Sequence, residues 1–595
     1  MTNRTRRQAG WESTAILDAP SEDDAGPGPE AGTGAIAVAD ATAEGTGDTD
    51  AARDTGEGEG EGEGEGETVA ARPSGDERFA PRVVWWITAL HVSLLLAYSV
   101  LLPTYRAPDE PHHVDLAHRL SEGEDYPAWD EADFTAGVHR SLPLVFFHVP
   151  RSASHLTEDE ALPRDERPSL EDLDGPGVDT SINQNSQHPP LYYAIAGTTE
   201  RVVEVVTRGE LPFDLEVWIY RLVSIALVAA LPLIVWRTSR VLDLPAPVGV
   251  AATLVPLAIP QLTHIGSAAN NDSLLLLAFW LSTPVVLRLS RGSVDPRTAA
   301  LAGVITGVGA LTKLLALALP VWVAAALLLA WRRGGRSQGR PVAVAAVVYG
   351  ATAFVVGGWW WLRNLVLYDE LAPSRFSQIL PPREEFDVDP GTFLQTWAYS
   401  TTRRFWGDFG LFDAHIPTLA FGTATVVVLV ALAVALVRRD RVGGTAIGDR
   451  LLLAGPLLLL VGGQSANAFR AYETSGRFPG LQGRYWFGAV AAMAVVVALG
   501  LANLVRRRLD LLPPAVLVGA GVMQLVALRT LLYHFWGAAS TPFTSRLSAV
   551  GAWSPLPEPL LVVGAFAVVV LGLAVVVEVA RLRPVDANLP PNVAP

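Results

Sequence analysis

Apolar runs of about 20 residues recur along most of the chain and decide its architecture. At a helical rise of about 1.5 Å per residue, one such run crosses the hydrocarbon core of a bilayer. The pattern predicts twelve spanning helices, near residues 83–102, 216–236, 247–264, 272–289, 298–312, 313–331, 341–361, 417–437, 450–467, 485–505, 511–532 and 558–580. The expected fold is an all-α integral membrane protein, a polytopic bundle of 11 to 13 transmembrane helices.

Positive charge between these spans collects in alternate connectors. It forms six groups: Arg237 and Arg240; Arg288, Arg291 and Arg297; Arg332, Arg333, Arg336 and Arg340; Arg438, Arg439 and Arg441; Arg506, Arg507 and Arg508; Arg581 and Arg583. Cytoplasmic connectors are enriched in Lys and Arg, so these groups predict a cytoplasmic side. Segments 103–215 and 363–416 then become extracytoplasmic loops. We expect a bacterial plasma membrane protein with both termini in the cytoplasm and a large extracytoplasmic first loop.

One apolar segment, residues 188–206, does not fit this scheme as a full span, because it would invert every later connector. It begins with Pro189 and Pro190 and carries Glu200, Arg201 and Glu204. These features favour an amphipathic or re-entrant helix on the outer face.

The ends of the chain differ from the membrane domain predicted over residues 81–584. Residues 1–80 contain 6 Arg and no Lys against 19 Asp and Glu, and almost no aromatic residues. Such a segment cannot bury enough apolar surface to offset its ordering entropy, so we expect a disordered acidic cytoplasmic tail. Residues 585–595 form a short C-terminal tail. The chain has no Cys, which excludes disulfides and thiolate zinc sites.

The densest candidate chemistry follows the first span, where Asp109, Glu110, His112, His113 and Asp115 stand among prolines. Polar groups beside hydrocarbon are costly and therefore mark candidate functional sites. Two carboxylates with nearby imidazoles could hold a divalent cation such as Mg²⁺ or Mn²⁺; the metal set would be Asp109, Glu110 and His113. Equally, one carboxylate could act as general base toward a sugar-acceptor hydroxyl. A solvated acidic loop is the third interpretation.

Further polar residues lie near the predicted outer ends of the helices. His188 stands in an amide-rich run that ends at two prolines. Asn271 and Asp272 open the span at residue 272, where either could serve as a helix cap. These residues are candidates for substrate binding.

Basic residues on the predicted outer side are few. Lys313 is the only Lys in the sequence, and an ammonium at lipid depth needs an anionic partner, for which a lipid phosphate is a natural candidate, or else snorkels to the interface. Arg363, Arg404 and Arg484 also fall on this side, against the charge rule. The combination of outer cations with an acidic loop is expected of an enzyme that binds a lipid-linked phosphate.

Several short motifs carry a resemblance to a known family. In chain order they are Pro108-Asp109-Glu110-Pro111-His112, Gln187-His188-Pro189-Pro190-Leu191-Tyr192-Tyr193, Asn270-Asn271-Asp272, Leu311-Thr312-Lys313, Trp361-Leu362-Arg363-Asn364, Phe405-Trp406-Gly407-Asp408-Phe409-Gly410 and Gln482-Gly483-Arg484-Tyr485. Over residues 83–583 the chain resembles a family of predicted bacterial multi-pass membrane proteins defined by a domain of unknown function. That family is similar to the GT-C superfamily, which includes protein O-mannosyltransferases and aminoarabinose lipid A transferases.

The resemblance implies a GT-C-like fold and inverting transfer of a sugar from a polyprenyl-phosphate donor to a cell-envelope glycan, lipid or protein on the outer face. It points to Asp109, with its neighbour Glu110, as the catalytic residue. Lys313, Arg363 and Arg484 would bind phosphate. The His doublet at 112 and 113 departs from the GT-C pattern and favours metal binding. A transporter or flippase of lipid-linked sugars and a non-catalytic assembly factor are the alternatives; no nucleic-acid partner is expected.

Overall fold

A computed structural model describes residues 80–147, 155–176, 181–374, 381–383 and 386–582. The predicted acidic tail, apart from Ala80, and the C-terminal tail over 585–595 lie outside the described residues. Within the described part, the first helices are α1 Arg82–Leu101, α2 Glu110–Ser121, α3 Ala136–Ser141, α4 Leu170–Leu173 and α5 Leu191–Thr207. Short 3-10 helices here are Leu142–Val145, Glu158–Glu160, Arg164–Glu166 and Gln184–Gln187.

The middle of the chain is a succession of apolar helices. They are α6 Phe213–Val228, α7 Leu231–Val241, α8 Ala246–Leu254, α9 Pro260–Gly266, α10 Asp272–Ser290, α11 Pro296–Ala310, α12 Ala318–Gly334, α13 Gly339–Ala353 and α14 Trp359–Tyr368. Short elements join them: the 3-10 helices Val255–Ala258, Leu314–Leu317 and Gly335–Gln338, and the π-helix Phe354–Gly358.

The last third contains seven further helices in the described residues. They are α15 Pro390–Trp406, α16 Thr418–Val437, α17 Ile447–Ser475, α18 Val490–Val505, α19 Leu512–Phe535, α20 Phe543–Trp553 and α21 Glu558–Ala580. Gly483–Ala489 and Arg506–Leu511 are 3-10 helices on either side of α18. A two-stranded antiparallel hairpin, β1 Asp408–Phe409 and β2 Ala414–His415, follows α15.

By length and apolar composition, eight helical stretches of the described chain are able to cross a membrane, or nine if the bent pair Ala246–Ala258 and Pro260–Gly266 forms one span. Two of the eight, Leu314–Tyr368 and Gly483–Phe535, contain 55 and 53 residues. Each is more than twice as long as one crossing needs. The all-α polytopic fold is confirmed.

Two features explain why the sequence pattern gives a higher count of 11 to 13 crossings. Residues in positive φ interrupt both long stretches, Gly335 at +62° and Arg506 at +40°. In addition, α11 has only 15 residues, fewer than a perpendicular crossing of the hydrocarbon core requires.

Burial separates the centre of the bundle from its surface. Nearly every residue of α18 is buried, as expected of a helix that is apolar on all sides and packed within a bundle. By contrast, α21 buries only Val575 and Val579 and exposes Leu560, Phe566 and other large apolar side chains. Apolar exposure of this extent fits contact with lipid chains.

The Arg-rich connectors meet at one end of the bundle. Arg291 donates a hydrogen bond to the carbonyl of Val241, and Arg333 donates to the carbonyl of Ser290 at 3.1 Å and to Asp449 at 2.8 Å. These contacts join the ends of α7, α10 and α12 to the start of α17. We call this the arginine end; whether it faces the cytoplasm stays a prediction.

The first loop covers the opposite end, where α2 packs on α5 and α6. Gly197 of α5 permits a close approach, because an added Cβ would overlap the backbone of Ala117. The other face of α5 exposes Val202, Val205 and Val206. The predicted amphipathic helix over 188–206 is therefore present, and it is not among the stretches able to cross a membrane.

Candidate active site

Four charged side chains from four separate motifs meet beneath the first loop. Arg484 Nη2 lies 2.5 Å from Asp109 Oδ2, and Arg484 Nε lies 3.8 Å from Asp272 Oδ2. Lys313 Nζ donates to Asp272 Oδ1 at 2.7 Å. We call Asp109, Arg484, Asp272 and Lys313 the charged ring. Its charges alternate in sign along this path.

Each member of the ring stands at the end of a helix. Asp109 precedes α2 and takes the left-handed conformation, with φ 61°, which is uncommon for a non-glycine residue. Asp272 opens α10, and Lys313 follows α11. Arg484 lies in the 3-10 helix before α18. The neighbouring Gly483 is required, because an added Cβ would lie 2.5 Å from backbone atoms of Phe405.

Asp109 is the most exposed member of the charged ring. Its side chain is 21% exposed, whereas the side chains of Asp272, Lys313 and Arg484 are between 3% and 9% exposed. Burial of Asp109 opposes ionisation, but the adjacent guanidinium of Arg484 outweighs it and holds the pKa of this carboxyl well below its usual range. Asp109 is therefore an ionised carboxylate that a molecule entering from the loop side reaches first.

A neutral hydrogen-bond chain runs beside the ring. Asn185 donates to His113 Nε2 at 3.3 Å, which leaves His113 Nδ1 as the donor to Tyr193 Oη at 3.0 Å. Asn271 Nδ2 also donates to Tyr193 Oη at 3.3 Å, while Asn271 Oδ1 is buried and has no hydrogen-bond partner in the described part of the chain. Burial lowers the pKa of His113 well below its usual value. The imidazole is therefore neutral, and the Tyr193 hydroxyl keeps its own proton to donate.

The two His residues that flank this chain have different surroundings. Burial and the positive charge of Lys313 lower the pKa of His188 to about 3, and the His188 carbonyl accepts the Tyr126 hydroxyl at 2.7 Å. His112 packs on Phe134, with ring centroids 4.8 Å apart, and interacts electrostatically with Asp109. Only His188 of these two is electrostatically coupled to the Lys313 and Asp272 side of the ring.

Glu110 is separated from Asp109, contrary to the prediction that the adjacent carboxylates share one site. It is fully buried, receives two hydrogen bonds from Arg221 at 2.8 and 2.7 Å, and accepts the backbone N–H of Ala269 at 3.0 Å. Arg221 also donates to the backbone carbonyls of Ser99, Leu102 and Pro103. Glu110 thus anchors α2, and both of its carboxylate oxygens accept hydrogen bonds from Arg221.

The predicted metal set is not assembled. Among the described residues, no group of three or more His, Asp or Glu side chains is placed to hold a metal ion. Glu110 is paired with Arg221, and Asp109 is paired with Arg484. His113 is hydrogen-bonded to Asn185 and Tyr193. As placed in the structure, Asp109, Glu110 and His113 do not form the predicted metal site, and a divalent cation elsewhere stays untested.

Two further residues have surroundings that the sequence did not predict. Lys313 pairs with Asp272 within the bundle, and its binding of a phosphate stays a prediction. Neither Asn271 nor Asp272 caps α10 through its side chain; Asn270 Oδ1 instead accepts the N–H of Ser273 at 3.2 Å. Asp272 is thereby left free to join the ring.

The two remaining cations predicted on the outer side, Arg363 and Arg404, do not join the charged ring. The Arg363 guanidinium stacks over Trp360 and Tyr368, 4.8 and 5.6 Å from the ring centroids. Arg404 donates to the carbonyl of Leu481 at 3.1 Å and lies 3.4 Å from Asp408. Because Leu481 is three residues before Arg484, Arg404 fixes the segment that carries the ring arginine.

Two buried residues near the site, Arg221 and His264, are not among the predicted site residues. Arg221 lies within a predicted span, and a charged residue in such a position is itself a signal of function. His264 of α9 is fully buried, and neither of its ring nitrogens has a hydrogen-bond partner among the residues that the structure describes. Its edge contacts Phe409 of the hairpin, with ring centroids 5.6 Å apart.

Known proteins are similar to this chain at low sequence identity. Among solved structures, ArnT from Cupriavidus metallidurans bound to undecaprenyl phosphate is similar over 83% of this chain and 77% of its own, with a TM-score of 0.38 and 14% identity. The apo oligosaccharyltransferase of Archaeoglobus fulgidus is similar over 79% and 56%, with a TM-score of 0.35 and 10% identity. No protein among the curated sequences matches this chain significantly. The family model described as predicted membrane protein (DUF2142) matches residues 93–494. The chain therefore belongs to the DUF2142 family of predicted membrane proteins.

Proposed function

We propose that this chain is a GT-C-type membrane glycosyltransferase. It transfers a sugar, with inversion, from a polyprenyl-phosphate donor to a glycan, lipid or protein acceptor of the cell envelope on the extracytoplasmic face. The charged ring supports the proposal. The accessible Asp109 and the buried Asp272 both lie beside the Arg484 guanidinium. Asp272 also pairs with Lys313, the only lysine of the chain.

Lys313 and Arg484 form the donor side of the proposed site. Together with Asp109 and Asp272 they make a set of zero net charge, so a phosphate entering the ring competes with the two carboxylates for the two cations. Arginine offers a planar fork that matches phosphate oxygens, and lysine adds a compact point charge. Both cations would stabilise the phosphate that leaves when the bond between the sugar C1 and the phosphate oxygen breaks.

Asp109 forms the acceptor side. While Arg484 pairs with it, its pKa is low and it is a weak base. When a donor phosphate draws Arg484 away, the carboxylate loses the charge that lowers its pKa and becomes more basic. It then accepts the proton of the acceptor hydroxyl as the acceptor oxygen bonds to C1. The donor must therefore bind before Asp109 becomes an effective base.

The chain from Asn185 through His113 to Tyr193 has a positioning role in this scheme. With His113 neutral and donating, the Tyr193 hydroxyl proton points to a further acceptor, which a sugar hydroxyl or phosphate oxygen would supply. The unpartnered Asn271 Oδ1 is suited to receive a sugar hydroxyl. These two groups would orient the transferred sugar.

Deletion of the gene tests the proposal. Mass spectrometry would compare envelope glycans and polyprenyl-linked sugars with and without the chain. Loss of one glycan modification, with accumulation of its polyprenyl-linked sugar at the outer leaflet, is the expected result. Accumulation at the inner leaflet would instead favour a flippase, and unchanged polyprenyl-linked sugars would favour a non-catalytic assembly factor.

A further inference from the structure

A basic pocket lies at the arginine end, remote from the charged ring. It occupies about 300 Å³ and is lined by Arg237, Arg240 and Val241 at the end of α7 and by Arg288, Arg291 and Ser293 at the end of α10. Asp272 of the ring opens α10, and Arg288 is 16 residues later. At the helical rise, the two sites are about 24 Å apart along that helix.

Two of the four arginines are held by the protein. Arg240 lies over the ring of Trp236, 4.7 Å from its centroid, and donates to the carbonyl of Leu244. Arg291 lies 3.4 Å from Asp449 and 3.5 Å from the exposed Asp243. Asp449 also pairs with Arg333, so its single charge is divided between two guanidiniums.

The other two arginines lack a protein anion. The guanidiniums of Arg237 and Arg288 make no hydrogen bond, ion pair or ring contact with any residue in the part of the chain that the structure describes. Arg237 is exposed and Arg288 is partly buried. Four positive charges thus face one cavity, and the two nearby carboxylates do not balance them.

The general enrichment of arginine in cytoplasmic connectors explains scattered exposed residues such as Arg332 and Arg336. This enrichment does not explain why four arginines line the same pocket. Here the pairs 237/240 and 288/291 each have a spacing of three residues, which puts both members on one side of the chain end. Gathering like charges in this way is unfavourable unless an anion offsets them, and phosphate oxygens accept guanidinium hydrogen bonds well.

We propose that this pocket binds the phosphate of an anionic membrane-lipid headgroup. The pocket stands at the ends of two membrane-spanning stretches, the level at which headgroups lie, and basic pockets between such helices suit anionic headgroups. The site is independent of the proposed transferase function, because it shares no residue with the charged ring.

The test uses the full chain in neutral detergent micelles with single lipids added. Native mass spectrometry measures retained dioleoylphosphatidylglycerol, with dioleoylphosphatidylcholine as the uncharged reference. The Arg237→Ala/Arg288→Ala variant should retain phosphatidylglycerol about 30-fold less well, while the Arg332→Ala/Arg336→Ala variant, which loses the same net charge, should resemble the wild type. Retention of phosphatidylcholine should not change in either variant.

Equal loss of phosphatidylglycerol in both variants would overturn the proposal, since net charge alone would then explain binding. Thermal stabilisation by inorganic phosphate as strong as that by phosphatidylglycerol would overturn the lipid assignment. If the alanine variant is not recovered folded, Arg237→Gln and Arg288→Gln singly give the same comparison, because neither guanidinium holds another part of the protein.

Discussion

Asp109 and Glu110 are neighbours in the chain but have separate roles in the structure. Asp109 is part of the charged ring and remains accessible, whereas Glu110 is fully buried against Arg221. The turn into α2 directs the two side chains apart, because Asp109 takes a left-handed conformation and Glu110 begins the helix. Substitution of Glu110 should therefore mainly lower the stability of the protein, whereas substitution of Asp109 should mainly lower its activity.

Glu110→Gln should destabilise the fold, because it leaves the buried Arg221 guanidinium without its counter-charge. Breaking a buried ion pair costs about 3 to 5 kcal/mol. Thermal unfolding of the purified protein in detergent measures the effect, with Glu124→Gln, at an exposed carboxylate of the same loop, as the matched control that should unfold near the wild-type temperature. Equal stability of the two variants would contradict the assignment of Glu110 as an anchor.

Lys313→Ala should weaken use of the lipid donor, because one of the two cations offered to phosphate is lost. We expect the apparent KM for a polyprenyl-phosphate sugar to rise about tenfold or more, the range for a charged hydrogen bond. Arg363→Ala is the control, because this outer cation stacks on aromatic rings away from the ring. If Lys313→Ala leaves the KM unchanged, Lys313 serves only to hold Asp272.

At the scale of elements, α2 is docked to α6 by two ion pairs, Glu110 with Arg221 and His118 with Glu216. Burial of His118 opposes its protonation, but the hydrogen bond and charge of Glu216 outweigh burial and raise the pKa of His118 to about 9. The protonated imidazole thus stabilises the docked loop at neutral pH.

This pair predicts a stability that falls with rising pH. The folded pKa of His118 lies above the usual value of about 6.5, so the contribution is complete below pH 6.5 and is lost as the pH rises to about 9. The loss should be on the order of 3 kcal/mol. Thermal unfolding across this window measures it. The His118→Gln variant should be insensitive to pH here; an unchanged pH dependence would refute the assignment.

The hydrophobic pattern of the sequence predicts the positions of the helices well. It predicts the side-chain contacts within the site less well. Each of the twelve predicted spans coincides with helices of the structure, since apolar length is a local property of the sequence. The partners of Lys313 and Glu110 could not be predicted, because Asp272 and Arg221 are 41 and 111 residues distant in the chain. The motifs identified which residues matter, but only the packing of α10, α6 and α18 decides which of them meet.

In the molecule as a whole, the charged ring and the Arg-rich connectors lie at opposite ends of the bundle. Asp109, Asp272, Lys313 and Arg484 lie at one end, and the Arg-rich connectors lie at the other. The sequence predicts this division correctly because charged connectors alternate with apolar spans. It could not show the basic pocket, which depends on how α7 and α10 end beside each other.

Cysteine labelling tests which end faces outward, since the chain contains no Cys. Ser181 of the first loop and Ser337 of the arginine end are both exposed, so Ser181→Cys and Ser337→Cys are matched variants. A membrane-impermeant maleimide should label the Ser181→Cys variant in intact cells and the Ser337→Cys variant only after permeabilisation. The reverse pattern would invert the predicted topology.

The proposed transfer of a sugar from a lipid phosphate depends on the carboxylate of Asp109. The most direct measurement is restoration of the envelope glycan in cells that lack the gene and express Asp109→Asn. The control is Glu124→Gln, which changes an exposed carboxylate of the same loop. With equal amounts of both variants in the membrane, Glu124→Gln should restore the glycan, and Asp109→Asn should leave the polyprenyl-linked sugar accumulated. Full restoration by Asp109→Asn would contradict the account.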